Sequence, residues 1–221
     1  MYGLEITIEP KDLALLSSMK RKIVFSKPPS YRPDVDETRW TNWLVWASVP
    51  PKPLIRVYWE PRYRIFASEL KPNPYREMDL AGCMFTSADV YDQTMLYTLT
   101  DYYCMTGGAI GPGLGVKGEY YARNMSGRNG MYLGMAQAVD LLGDRSYRYL
   151  PIDATALLNG DMATFVPFDR VTVFMRQDER TLLRRAGVGT VPLHLNYEGA
   201  QEGTVYKVRY SLEANRFEQL L

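Results

Sequence analysis

Short runs of β-branched and aromatic residues, each closed by proline, glycine or asparagine, recur along the whole of this chain. Runs punctuated in this way predict an all-β fold. Strands are expected at residues 3–8, 21–26, 42–48, 54–60, 63–69, 95–100, 116–123, 131–139, 147–152, 170–176, 190–197, 204–210 and 216–220. A short helix is expected after the first strand, with Pro10 in its first turn and Leu13, Leu16 and Met19 along one side. In 54–60, Ile55, Val57 and Trp59 alternate with Arg56, Tyr58 and Glu60, which makes one face apolar and the other wet. Residues 42–48 are apolar on both faces, as in a central strand covered on both sides. Pro61-Arg62 reads as a tight turn between neighbouring strands, and the last four strands read as an antiparallel meander. Residues 136–142 fit a strand or a helical turn equally well. With no repeat, low-complexity tract or linker, residues 1–221 are read as a single domain. Its expected architecture is an antiparallel two-sheet β-sandwich of roughly ten or more strands with a short N-terminal helix.

The inventory of reactive side chains narrows the chemistry. One histidine and two cysteines stand among 17 tyrosines and 4 tryptophans. Imidazole, thiolate and clustered carboxylate carry most hydrolytic, thiol and metal chemistry, whereas rings supply contact area and stacking surface. Lysine plus arginine at 26 nearly cancels aspartate plus glutamate at 25, for a net charge of +1. Nucleic-acid binding draws on a basic excess, so nucleic acid is not expected as a partner. Near-zero net charge gives little colloidal repulsion and suits self-association. The amino-terminal residues MYGLEITIEPKD lack the basic and apolar regions of a secretory leader, and no apolar stretch is long enough to span a membrane. The expected location is therefore cytoplasmic, with leaderless release as the route outward. In a reducing cytosol Cys83 and Cys104 are expected as buried free thiols.

Each local motif also has a structural explanation. Residues 113–118 match G-x-G-x-x-G, but Tyr120-Tyr121 follows and reads as strand, so a glycine-rich hairpin or bulge fits better than a nucleotide site. His194 lies opposite the apolar face of Val191, Leu193 and Leu195; a Cys-His dyad with Cys83 or Cys104 needs the fold to bring the pair together. Asp34, Asp36 and Glu37 beside Arg32 and Arg39 read as a solvated acidic loop. Asp89 and Asp92 flank Tyr91 as a candidate acid pair. Asn129-Gly130 is a hairpin signal, with Arg123, Arg128, Arg145 and Arg148 around it. The Asn124-Met125-Ser126 sequon has no glycosylation meaning in an intracellular setting. No metal site or cofactor is expected.

An aromatic-rich sandwich of this kind resembles cytosolic lectins and actinoporin-like cytolysins in fold class, and fold does not confer function. The leading expectation is a non-catalytic protein acting by self-association, as a homo-oligomer, and by ligand binding, with a glycan, a lipid head group or a protein partner as ligand. Its candidate binding residues are Tyr31, Trp40, Tyr75, Tyr102, Tyr121, Arg123 and Arg128, rings and cations placed on connections or strand edges. One alternative is a membrane-active, actinoporin-like cytolysin using Tyr120, Tyr121, Arg123 and Arg128. Another is a cyclase or isomerase with an enclosed apolar pocket, marked by rings around one carboxylate of raised pKa.

Overall fold

The computed structural model describes residues 1–28, 44–72, 77–92, 94–101, 104–111, 115–176 and 190–220. Among these the chain begins with β1 (Tyr2–Ile8), α1 (Pro10–Ser18), β2 (Lys22–Ser26), β3 (Val45–Val49), β4 (Leu54–Ser68) and β5 (Met84–Phe85). There follow β6 (Met95–Thr100), β7 (Met105–Ala109), β8 (Tyr120–Met125), β9 (Met131–Asp140) and β10 (Arg148–Leu157). The chain ends with β11 (Met162–Phe165), β12 (Arg170–Arg176), β13 (Leu193–Asn196), β14 (Val205–Ser211) and β15 (Arg216–Leu220). The fold is all-β with one short N-terminal helix, as the sequence indicated.

The strands form three sheets among the described residues, where two antiparallel sheets were expected. The first runs β10-β9-β4-β1-β14-β15, with β5 also on β4. The second runs β13-β12-β2-β3 and the third β11-β8-β6-β7. Two pairs, β1 with β14 and β6 with β8, are parallel. The expected closing meander divides accordingly. β12–β13 is a hairpin of the second sheet and β14–β15 a hairpin of the first. Likewise, the strands flanking Asn129-Gly130 belong to different sheets, so the Gly127 and Gly130 turns carry the chain across rather than back.

Pro61-Arg62 is not a turn. Both flanking runs belong to the single strand β4, which pairs with β1 through its first half and with β9 on both sides of the proline. A two-residue hairpin wants left-handed backbone at its centre, and neither Pro61 nor Arg62 adopts it. The register with β9 instead shifts between Trp59 and Tyr63. Gln137 on β9 closes this bulge by donating from Nε2 to the Glu60 carbonyl at 2.9 Å. Residues 136–142, open between strand and turn in the sequence, continue β9 as far as Asp140, whose carboxylate accepts backbone N–H bonds from Leu142, Gly143 and Arg145.

One cluster of buried side chains draws on all three sheets, including Leu4, Val57 and Met135, then Phe25 and Val173, then Leu99 and Ala122. Ile55, Val57 and Trp59 enter it as their alternation predicts. The second sheet is covered on both faces, with Val24, Val45 and Phe174 packed together on the other side. β3, expected as central, is last in the order of that sheet among the described residues. The first sheet is tightest at Gly134, where the Phe66 ring and the Asp153 carbonyl occupy the place of a Cβ. Backbone on one side leaves little room to yield. Gly134→Ala is therefore expected to cost about 1–3 kcal/mol in urea unfolding. Gly82→Ala, where nothing lies within 4 Å, is expected to change it little.

Candidate functional site

The strand β2 alternates Ile23, Phe25 and then Lys27 onto the face that packs into the main core. Lys27 thus follows two apolar residues inward and is 1% exposed. Its position is at one end of the β2–β12 pair, since Ser26 is in register with Thr172 and Asp169 directly precedes β12. The ammonium donates to the Phe168 carbonyl at 3.3 Å. It also lies 5.2 Å from the centre of the Trp46 ring and 5.6 Å from that of Trp59. These are cation–π distances, and they place the charge on two indole faces that are themselves fully buried.

Trp46 reaches this position through a bulge. Phe25 pairs with Ala47 and Ser26 with Val45, so Trp46 is the extra residue of β3. Strict alternation would turn Trp46 away from Ala47; the bulge brings both into the main core. Trp59 from β4 meets Trp46 edge to face at 5.4 Å and Tyr197 at 4.8 Å. Tyr2 closes on Trp59 and Tyr197, and Tyr63 of β4 meets Tyr120 of the third sheet at 5.3 Å. The rings on the lysine come from the first and second sheets, and the Tyr63–Tyr120 pair joins the first sheet to the third.

The electrostatics follow from this enclosure. Desolvation pulls the Lys27 amine down to about 8, opposed by the negative charge of Asp169. Burial pushes the Asp169 carboxyl above its usual range, with Lys27 acting the other way. Burial likewise raises Tyr63 well above the phenol value and Tyr120 to about 12, with Asp169 adding to both. Three buried polar atoms on these residues have no hydrogen-bond partner, namely Trp46 Nε1, Trp59 Nε1 and Asp169 Oδ1. Buried polar groups are nearly always satisfied, and sites that break this rule are where a ligand or water completes the set. Phe168, Asp169 and Tyr120 are only half-buried, so the cluster meets solvent along that edge.

Of the residues singled out from the sequence, those that are described lie elsewhere. Tyr31, Trp40, Tyr75 and Tyr102 fall outside the described residues, as do Asp34, Asp36 and Glu37. Tyr121 is 4% exposed, and its hydroxyl accepts from the Val116 N–H and donates to Glu119. Arg123 is exposed on β8, and Arg128 pairs with Glu69. Tyr120 turns inward, onto Tyr63. Asp89 is bound by Arg62 and Tyr149, and those bonds outweigh desolvation to hold its carboxyl below the usual range, while Asp92 accepts from the Gly118 N–H. The two carboxylates are thus held by separate sets of partners.

His194 is exposed and shares a 2.9 Å hydrogen bond with Thr172. The thiols are free but not buried as expected; Cys104 is exposed and Cys83 half-buried, because both sit on connections rather than on strand faces. Asn124 is fully buried and donates to the Arg128 and Leu157 carbonyls, which withholds its amide from glycosylation in the folded chain. No helix among the described residues is long and apolar enough to cross a membrane.

No family model, curated protein or solved structure matches the chain. The site rests on its geometry alone. Lys27 and Asp169 are the residues that sequence reasoning missed. The available signal was Lys27 itself, the third inward position of a strand whose first two are Ile23 and Phe25.

Burial of this ammonium predicts a pH dependence. Below about pH 8 the amine is protonated in both folded and unfolded chains, and the folded state carries the full cost of enclosing it. Between about 8 and 10.5 the folded protein gives up its proton first, so stability rises with pH. The full difference amounts to about 3 kcal/mol. Lys27→Met is expected to remove this rise, read as the difference between wild-type and variant unfolding free energies at pH 7.5 and 10.

Proposed function

We propose that this is a binding protein whose site is the junction of the three sheets, and whose ligand is a small planar molecule carrying an acceptor oxygen. The observation that carries this reading is the set of three buried donors, the Lys27 ammonium and the Trp46 and Trp59 indole N–H groups, of which both indoles are unpartnered. An acceptor oxygen placed among them would satisfy groups that otherwise cost stability. The indole rings of Trp46 and Trp59 supply apolar surface beside these donors, and apolar walls with a few polar groups are the usual make-up of a small-molecule site. Benzoate is a suitable probe. Titration is expected to quench tryptophan emission saturably, with affinity falling at least about tenfold in Lys27→Met. Equal binding by the variant, or no saturable change with wild type, would overturn the reading.

Self-association is supported by a separate observation. The strand β7 is an edge of the third sheet among the described residues, exposed from Thr106 to Ala109, and carries neither charge nor proline. Natural edges are usually protected by such residues, so this one is open to pairing with a second copy. Light-scattering mass is expected to grow with protein concentration. Gly108→Lys, at a position where a side chain meets nothing within 4 Å, is expected to hold the chain monomeric. A wild-type monomer at all concentrations would remove this reading.

A further inference from the structure

The chain has eight lysines. Seven are exposed and one, Lys27, is enclosed by rings at the junction of the sheets. From this enclosure against two indole faces, the contact with the Phe168 carbonyl and the unpartnered indole donors, we propose that Lys27 forms an imine with a small aromatic aldehyde or ketone. This rests on the binding reading above and names the ligand's reactive group.

Only a neutral amine attacks a carbonyl carbon, and ordinary lysines are almost wholly protonated at neutral pH. Loss of water on burial disfavours the charged form, and the indole faces offset only part of that cost. With the amine near 8, its neutral fraction at pH 7 is on the order of a hundredfold greater than that of an exposed lysine. The indole N–H groups of the two rings that Nζ faces are buried and unpartnered, and are assigned to the carbonyl oxygen. Such donors stabilise the negative charge that develops on oxygen as the carbon–nitrogen bond forms.

The step balances without any further reactant. Nζ adds to the carbonyl carbon, the amine gives up a proton, and the former carbonyl oxygen becomes the hydroxyl of a carbinolamine. The proton with which that hydroxyl leaves as water is assigned to Asp169, the residue after the Phe168 carbonyl that Nζ contacts, whose carboxyl burial shifts upward. The products are a protonated imine on Lys27, one water and the Asp169 carboxylate, and return of the imine proton to Asp169 gives the neutral imine. When protonated, the imine retains the cationic position over the indole faces and beside the Asp169 carboxylate.

The test uses the full chain with benzaldehyde at pH 7, followed by borohydride, which reduces an imine to a stable secondary amine. Intact mass and peptide mapping then locate the label. Labelling of Lys27 is expected to exceed that of any other lysine at least about tenfold, against a background set by the exposed side chains. Lys27→Arg keeps the cation and cannot form an imine, so it is expected to lose this label. Asp169→Asn is expected to slow labelling and to alter its pH profile. Wild-type protein that binds benzoate but shows no preference for Lys27 would overturn the imine and leave the binding site standing. Protein that neither binds benzoate nor labels at Lys27 would overturn both.

Discussion

The enclosure of one ammonium at the meeting point of three sheets is the constraint on which the rest of this structure turns. An unpaired charge in an apolar interior is costly, and it persists only where the surroundings compensate. Here compensation comes from two indole faces, one backbone carbonyl and the field of Asp169. Those partners belong to strands far apart in sequence, so holding Lys27 inside requires the first and second sheets to be in register with one another. The ring network that joins Trp46, Trp59, Tyr2 and Tyr197 serves the same purpose, because edge-to-face pairs fix the relative placement of the strands that carry them.

Bulges are the second device. One aims Trp46 at the lysine, and another lets β4 continue past Pro61 as a partner of β9. Each departs from the two-residue period of a strand, and each lies on a strand that also lines the site. The tyrosines show the same economy. Rings that would stack on a ligand if exposed are instead turned inward, as Tyr120 is onto Tyr63, or covered, as Tyr121 is beneath the segment that bears Val116 and Glu119.

Much of the strand inventory was legible because alternation and punctuation are local. The runs at 95–100, 170–176 and 216–220 are strands with those bounds, and Ile55, Val57 and Trp59 are buried together. Strands β5, β7 and β11 were missed because they are short, and the sequence of β7 holds two glycines in five residues. The site was nearly illegible. Reading rings and arginines on connections as binding groups favours residues that look exposed, whereas the proposed site is built around Lys27, which is enclosed. A charged side chain continuing an apolar face is a signal, but its meaning depends on what lies opposite.

The sequence by itself determined the class of the fold, the positions of most strands, the inward face of the first half of β4, and the scarcity of imidazole and thiol. Those properties depend on neighbouring residues and on composition. Only the tertiary structure decided that the strands divide into three sheets, that β1 and β14 run parallel, and that Pro61 lies within a strand. It alone brought Lys27, Trp46, Trp59 and Asp169 together. Pairing partners, register across bulges and the desolvation of a charge are set by contacts between distant segments, and no local pattern encodes them.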